Sequence, residues 1–140
     1  MQQKYFEKKY IAIVSSHLKQ KEGTICAPIS RKPNSIIERC VDENGDTAIT
    51  HYRVLKSDVE RNFDVIECIL ETGRTHQIRV HFAYLCHPIL GDTLYGSSSP
   101  LISRQALHAY QVRFIHPITK QDVMYQADVP KDMRTLIQFI

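Results

Sequence analysis

The residue types best suited to chemistry cluster in one stretch, ETGRTHQIRVH at 71–81. Gly73 stands at a tight strand-to-helix junction, and Arg74, Thr75, His76 and Gln77 fall at the helix start. Backbone N–H groups at a helix N-terminus, together with the helix dipole, favour an anion there, and Arg74 adds a fork that fits phosphate. Arg79 lies on a different helix face from Ile78 and Phe82, where its guanidinium can reach a carboxylate. Taken alone, the same residues also describe an ordinary capped helix with surface arginines. The chain's seven histidines invite a metal reading. Yet His76 and His81 are separated by about 140° around a helix and cannot clamp one ion from one face, so no metal site is expected. The four cysteines, at 26, 40, 68 and 86, form no C-x-x-C pair and read as reduced, half-buried thiols.

These residues need elements to position them. Lys9–Val14 is a short apolar run rich in β-branched residues and reads as a strand. Ile25–Arg39 contains Pro28 and Pro33 and reads as irregular chain, followed by a turn at Glu43–Asp46. Thr47–Leu55 and Phe63–Leu70 read as an antiparallel pair joined by a polar loop. The second of these is apolar on both faces, as in a strand buried within a sheet. Thr75 is placed to cap a helix that begins at His76, with Ile78, Phe82 and Leu85 as its apolar stripe and His87-Pro88 as its stop. A loop at 91–100 leads to strands at Leu107–Phe114 and Val123–Val129 and a terminal helix at Lys131–Phe139. The expected fold is α+β, a mixed and mainly antiparallel sheet with few helices, in one domain over 1–140.

Bulk properties set outer bounds. A 140-residue chain with 43% hydrophobic and 24% charged residues can build a core and does not read as disordered. The net charge of +3, with a sequence pI near 8.7, is compatible with a polyanionic partner. Lys4, Lys8, Lys9, Lys19 and Lys21 load the first stretch. No run approaches bilayer length and the N-terminal MQQKYFEKKY lacks an apolar core, so a cytoplasmic protein without a membrane partner is expected.

The two longest motifs, TGRTHQIRVH at 72–81 and HPILGDTLYG at 87–96, resemble the signature of RluA-type pseudouridine synthases. KKYIAIV at 8–14, API-x-R at 27–31, TAITHYRVL at 47–55 and RQALHAYQVRFIHP at 104–117 are similar to further segments of that family in order and spacing. The resemblance implies an enzyme that isomerises uridine to pseudouridine within rRNA or tRNA, with no cofactor and no metal. The uridine is flipped from its stack, an aspartate attacks, the N-glycosidic bond breaks and the base rejoins through carbon 5. It further implies that Arg79 pairs with the nucleophilic aspartate, and that Tyr10 packs on the flipped base and is a candidate for proton handling. Lys8, Arg74, Thr75, His76 and Gln77 are implied to meet RNA, and Asp92 to order its loop.

One departure matters. The family's histidine-arginine-leucine-aspartate motif lies upstream of the K-x-Y strand, whereas only nine residues precede Tyr10 here and none is aspartate. Ser15 or Ser16 also replaces the family's glycine after the first strand. The expectation is therefore the later part of a catalytic domain, inactive alone. Its partners would be RNA and the missing N-terminal segment, or copies of itself joined through an exposed sheet edge. A buried Arg79 lacking its carboxylate would add a further cost. A non-catalytic RNA-binding remnant of the same fold, or a generic interaction domain, are the rival readings.

Overall fold

The computed structural model describes residues 6–138. Six strands form one sheet: β1 (Phe6–Ser15), β2 (Glu22–Cys26), β5 (Ile49–Asp58), β6 (Phe63–Leu70), β7 (Leu107–Ile115) and β8 (Asp122–Gln126). Their spatial order is β2-β5-β6-β1-β7-β8, and every pairing is antiparallel. Two short strands, β3 (Ile29–Arg31) and β4 (Arg39–Val41), make a separate hairpin. The helices are α1 (Gln77–Tyr84) and α2 (Lys131–Gln138). The last residue of the expected terminal helix, Phe139, lies outside the described residues.

The centre of the sheet is where apolar residues run without alternation. Ile11–Val14 of β1 and Phe63–Cys68 of β6 are buried, so both faces of these strands are covered. On one face α1 packs through Phe82, whose ring meets Tyr52 of β5 edge-on at 5.5 Å. Met133 and Leu136 of α2 join the same core, and Arg61 just before β6 donates to the Leu136 carbonyl at 2.9 Å. Because β1 sits between β6 and β7, the open edges fall to β2 and β8.

Four local expectations are corrected. Residues 25–39 are not irregular: they hold the end of β2, all of β3 and the first residue of β4. Two backbone hydrogen bonds between Ile29 and Asp46, at 2.9 and 2.8 Å, fold residues 42–46 back onto β3. A Cβ at Gly45 would come within 2.5 Å of the Ile29 backbone, so this turn requires glycine. Thr75 does not cap the helix. His76 occupies the N-cap in a left-handed conformation, φ 58°, with no side-chain cap, and α1 begins at Gln77. Gly73 is not forced by crowding, since a Cβ there would touch nothing within 4 Å. The cysteines are free but not uniformly half-buried: Cys68 is buried, which pushes its thiol pKa far up, while Cys26 and Cys86 are exposed. Among the described residues, no helix is long and apolar enough to cross a membrane.

Candidate active site

The motif at 72–81 is built around a buried glutamine. Gln77 is 2% exposed and its amide is fully engaged. Its Oε1 accepts from the Thr72 hydroxyl at 2.7 Å and from the Arg74 N–H at 3.0 Å. Its Nε2 donates to the Ile49 carbonyl and to Thr50 Oγ1, both at 3.0 Å. Thr50 in turn lies 2.8 Å from His81 Nδ1, and His81 Nε2 lies 2.9 Å from the Ala27 carbonyl. A carbonyl can only accept, so His81 carries its proton on Nε2 and accepts the Thr50 hydroxyl at Nδ1. Burial lowers the His81 pKa and keeps this tautomer neutral. The chain of bonds from Thr72 to Ala27 fixes the start of α1 to β5. With its bonding capacity used inside, Gln77 holds the Arg74 backbone in place.

Arg79 projects from α1 into the loop that follows it. Its Nε donates to Asp92 Oδ2 at 2.8 Å and its Nη2 to Asp92 Oδ1 at 3.0 Å, a two-point clamp. Asp92 is 1% exposed and also accepts the N–H groups of Leu94 and Tyr95. Burial alone would push its carboxyl up. The Arg79 hydrogen bonds and these two N–H donors outweigh burial and hold it below the ordinary carboxylate range. Arg79 is thus not left without a carboxylate, since Asp92 of the same chain pairs with it. The guanidinium also lies over the Tyr95 ring, 5.1 Å from its centroid.

Tyr95 ties this clamp to β4. Its hydroxyl accepts the Arg39 backbone N–H at 2.9 Å and lies 2.7 Å from His76 Nδ1. Burial, with Arg79 and Arg39 nearby, lowers the His76 pKa. His76 therefore favours its neutral ring. Nothing in the periodicity of the sequence signals the His76–Tyr95–Arg39 link, which joins segments 19 and 56 residues apart.

The other expected site residues are placed as follows. Arg74 is exposed and anchored by its Nε to the Thr47 carbonyl at 2.7 Å; Thr75 is exposed beside it. Lys8 is exposed on β1. Tyr10 is partly buried on β1 opposite Cys68, and burial raises its pKa. Ser16 takes φ 58°, the left-handed conformation that glycine enters freely, and its hydroxyl sits 2.8 Å from His87 Nδ1. Two further histidines of the motifs meet the backbone: His87 contacts the Ser15 carbonyl and His116 accepts the N–H groups of Ile118 and Thr119.

Comparison with known proteins places this arrangement. The human RNA pseudouridylate synthase domain containing 1 shares the fold, with a TM-score of 0.78 at 24% identity over 98% of this chain and 66% of that one. The sequence profile of the RNA pseudouridylate synthase family matches residues 1–84. The Bacillus subtilis protein named uncharacterized RNA pseudouridine synthase YjbO is 47% identical over 132 residues, which make up 94% of this chain and 46% of that protein. Ribosomal large subunit pseudouridine synthase D of Escherichia coli is 38% identical over 152 residues, covering 99% of this chain and 46% of its own length. The chain belongs to the RNA pseudouridylate synthase family. It spans somewhat under half the length of these curated relatives.

Proposed function

We propose that this chain supplies the substrate-holding side of an RNA pseudouridine synthase active site, which is completed by an aspartate outside it. The observation that carries this reading is the state of Arg79. Its side chain is 14% exposed, clamped through Nε and Nη2 by Asp92, and backed by Tyr95. Nη1 is not used by that clamp and remains to receive a second carboxylate. Hydrogen bonding to Asp92 raises the Arg79 pKa, so the guanidinium is charged throughout the working range. A charged donor held rigidly beside the incoming aspartate keeps that aspartate ionised and aimed. Asp92 itself is no nucleophile: its oxygens are occupied and sealed from solvent.

In this reading Tyr10 packs against the flipped uracil, and its raised pKa keeps the hydroxyl protonated. Lys8, Arg74, Thr75 and His76 face the RNA. The reaction needs no cofactor and no metal. The substrate is a structured RNA of the translation apparatus, rRNA or tRNA, and the name of the Escherichia coli relative favours large-subunit rRNA. Such an RNA places the enzyme in the cytoplasm.

Tritium release from RNA carrying 5-tritiated uridine tests the proposal. The chain alone is expected to release none. Mixing it with a separately prepared segment bearing the histidine-arginine-leucine-aspartate motif is expected to restore release, and Arg79→Ala to abolish the restored activity. RNA binding without release in the mixture would instead establish the non-catalytic remnant.

A further inference from the structure

The β3–β4 hairpin carries a feature that the catalytic reading does not use. Arg31 and Arg39 stand directly opposite one another across its two strands. Like charges in that register repel and destabilise a hairpin unless an anion lies between them. The neighbouring pair is resolved differently: Lys32 meets Glu38 at 2.9 Å. The Arg31–Arg39 pair has no such carboxylate among the described residues, and Arg39 Nη1 is buried without a hydrogen-bond partner. An unpartnered buried guanidinium nitrogen is costly and marks a place for an acceptor.

These two arginines line a cavity of about 400 Å³ whose far wall is the turn before α1, with Arg74 and Thr75. Arg74 is held by its Nε on the Thr47 carbonyl, which leaves its two terminal nitrogens for a ligand. Asp46 also lines the cavity, so the local charge is that of three guanidiniums against one carboxylate. That excess of positive charge suits an anion, and the guanidinium forks suit phosphate oxygens.

We propose that this cavity grips a backbone phosphate of the RNA substrate, with Arg31 and Arg39 on one side and Arg74 on the other. The β3–β4 hairpin is then an RNA-holding arm set beside the helix start. The Tyr95 hydroxyl, bonded to both the Arg39 N–H and His76, couples that arm to the clamp on Arg79. This assignment rests on the proposed RNA substrate and adds a definite point of contact to it.

The test is binding of the full chain to a short fluorescein-labelled single-stranded RNA, followed by anisotropy across a salt titration. Arg31 is exposed, so Arg31→Glu leaves the fold intact, which circular dichroism verifies. It is expected to weaken binding by about tenfold at low salt and to reduce the slope of log affinity against log salt by about 0.7, the loss of one single-strand phosphate contact. Arg39→Gln is expected to reduce the slope similarly. Lys131→Glu, on α2, makes the same charge change as Arg31→Glu away from the cavity and is expected to leave the slope unchanged. Equal losses from Arg31→Glu and Lys131→Glu would overturn the phosphate site while leaving the RNA reading intact. Failure of the unaltered chain to bind RNA in any salt-sensitive way would overturn both. Competition is expected from an added RNA dinucleotide with a single phosphodiester, and not from inorganic phosphate at equal ionic strength; the reverse would make the cavity a free-phosphate site.

Discussion

Asp92 holds together more than its size suggests. It meets Arg79 at two points and ties down the N–H groups of Leu94 and Tyr95, all with its side chain sealed from solvent. Replacing it by asparagine keeps the shape but leaves Arg79, 14% exposed, without an ionic partner. Breaking a buried pair from one side costs about 3 kcal/mol. Urea unfolding of Asp92→Asn is expected to show a loss of about that size, and a change under about 1 kcal/mol would mean that water replaces the carboxylate at no cost. Gln77 makes the same argument with neutral groups. Gln77→Ala takes the acceptor from the Arg74 N–H and the Thr72 hydroxyl and the donors from the Ile49 carbonyl and Thr50 Oγ1 in a partly buried setting, and a loss of about 2–3 kcal/mol is expected. A Gln77→Glu variant separates shape from donor capacity. Its carboxylate can still accept from Thr72 and Arg74 but cannot donate to the Ile49 carbonyl, so thermal unfolding is expected to fall for it as well.

At the scale of elements, two glycines of the motifs, Gly91 and Gly73, divide sharply. Gly91 has φ 78°, and a Cβ there would lie 2.3 Å from the Arg104 carbonyl oxygen. Gly91→Ala is expected to cost at least about 3 kcal/mol, because both the backbone conformation and the contact must yield. Gly73→Ala meets open space and is expected to shift stability by no more than about 0.5 kcal/mol. Paired denaturation curves for the two variants decide this, and similar losses in both would sink the distinction. The same contrast shows which parts of the fold were legible from sequence. Phe63–Leu70 was readable because a run apolar on both faces has few places to go except the middle of a sheet, and β6 has those bounds. β3 and β4 were not readable: each has three residues, prolines flank them, and their stability comes from contacts such as Ile29 with Asp46 and Arg39 with Tyr95. The helix start was misread for a similar reason. Thr75 has the chemistry of a cap, but the chain turns at His76 because Tyr95, 19 residues on, holds that ring. Arg79's need for a carboxylate was legible; which carboxylate answers it depends on how the 91–96 loop folds back.

For the molecule as a whole, three buried carboxylates act as cross-links between layers. Asp64 opens β6 and accepts from the Ser57 hydroxyl and the Leu18 N–H, with His17 Nδ1 at 2.7 Å. Glu67 in mid-strand is held by Arg53 of β5 and by the Tyr110 hydroxyl of β7, whose own pKa burial and Glu67 push up to about 12. Asp92 fixes the loop after α1. In each case burial alone would raise the carboxyl, and the hydrogen bonds and charges around it win and lower it. A carboxyl whose folded pKa lies below its unfolded value of about 4 contributes its full stability above that value. The contribution drains away as pH falls through the folded pKa values, since the unfolded chain then binds more protons than the folded one. Chemical denaturation is therefore expected to show a free energy of unfolding that falls gently below about pH 6.5, where unfolded His76 and His81 take up protons more readily than in the fold, then declines steeply from about pH 5 towards pH 3. Asp92→Asn removes one of the three groups, so its curve should start lower and fall less steeply in acid, converging on the unaltered chain as pH drops. Parallel curves would mean that Asp92 has the same pKa folded and unfolded. The clamp on Arg79 would then add nothing to stability through charge, although Arg79 itself would stay protonated.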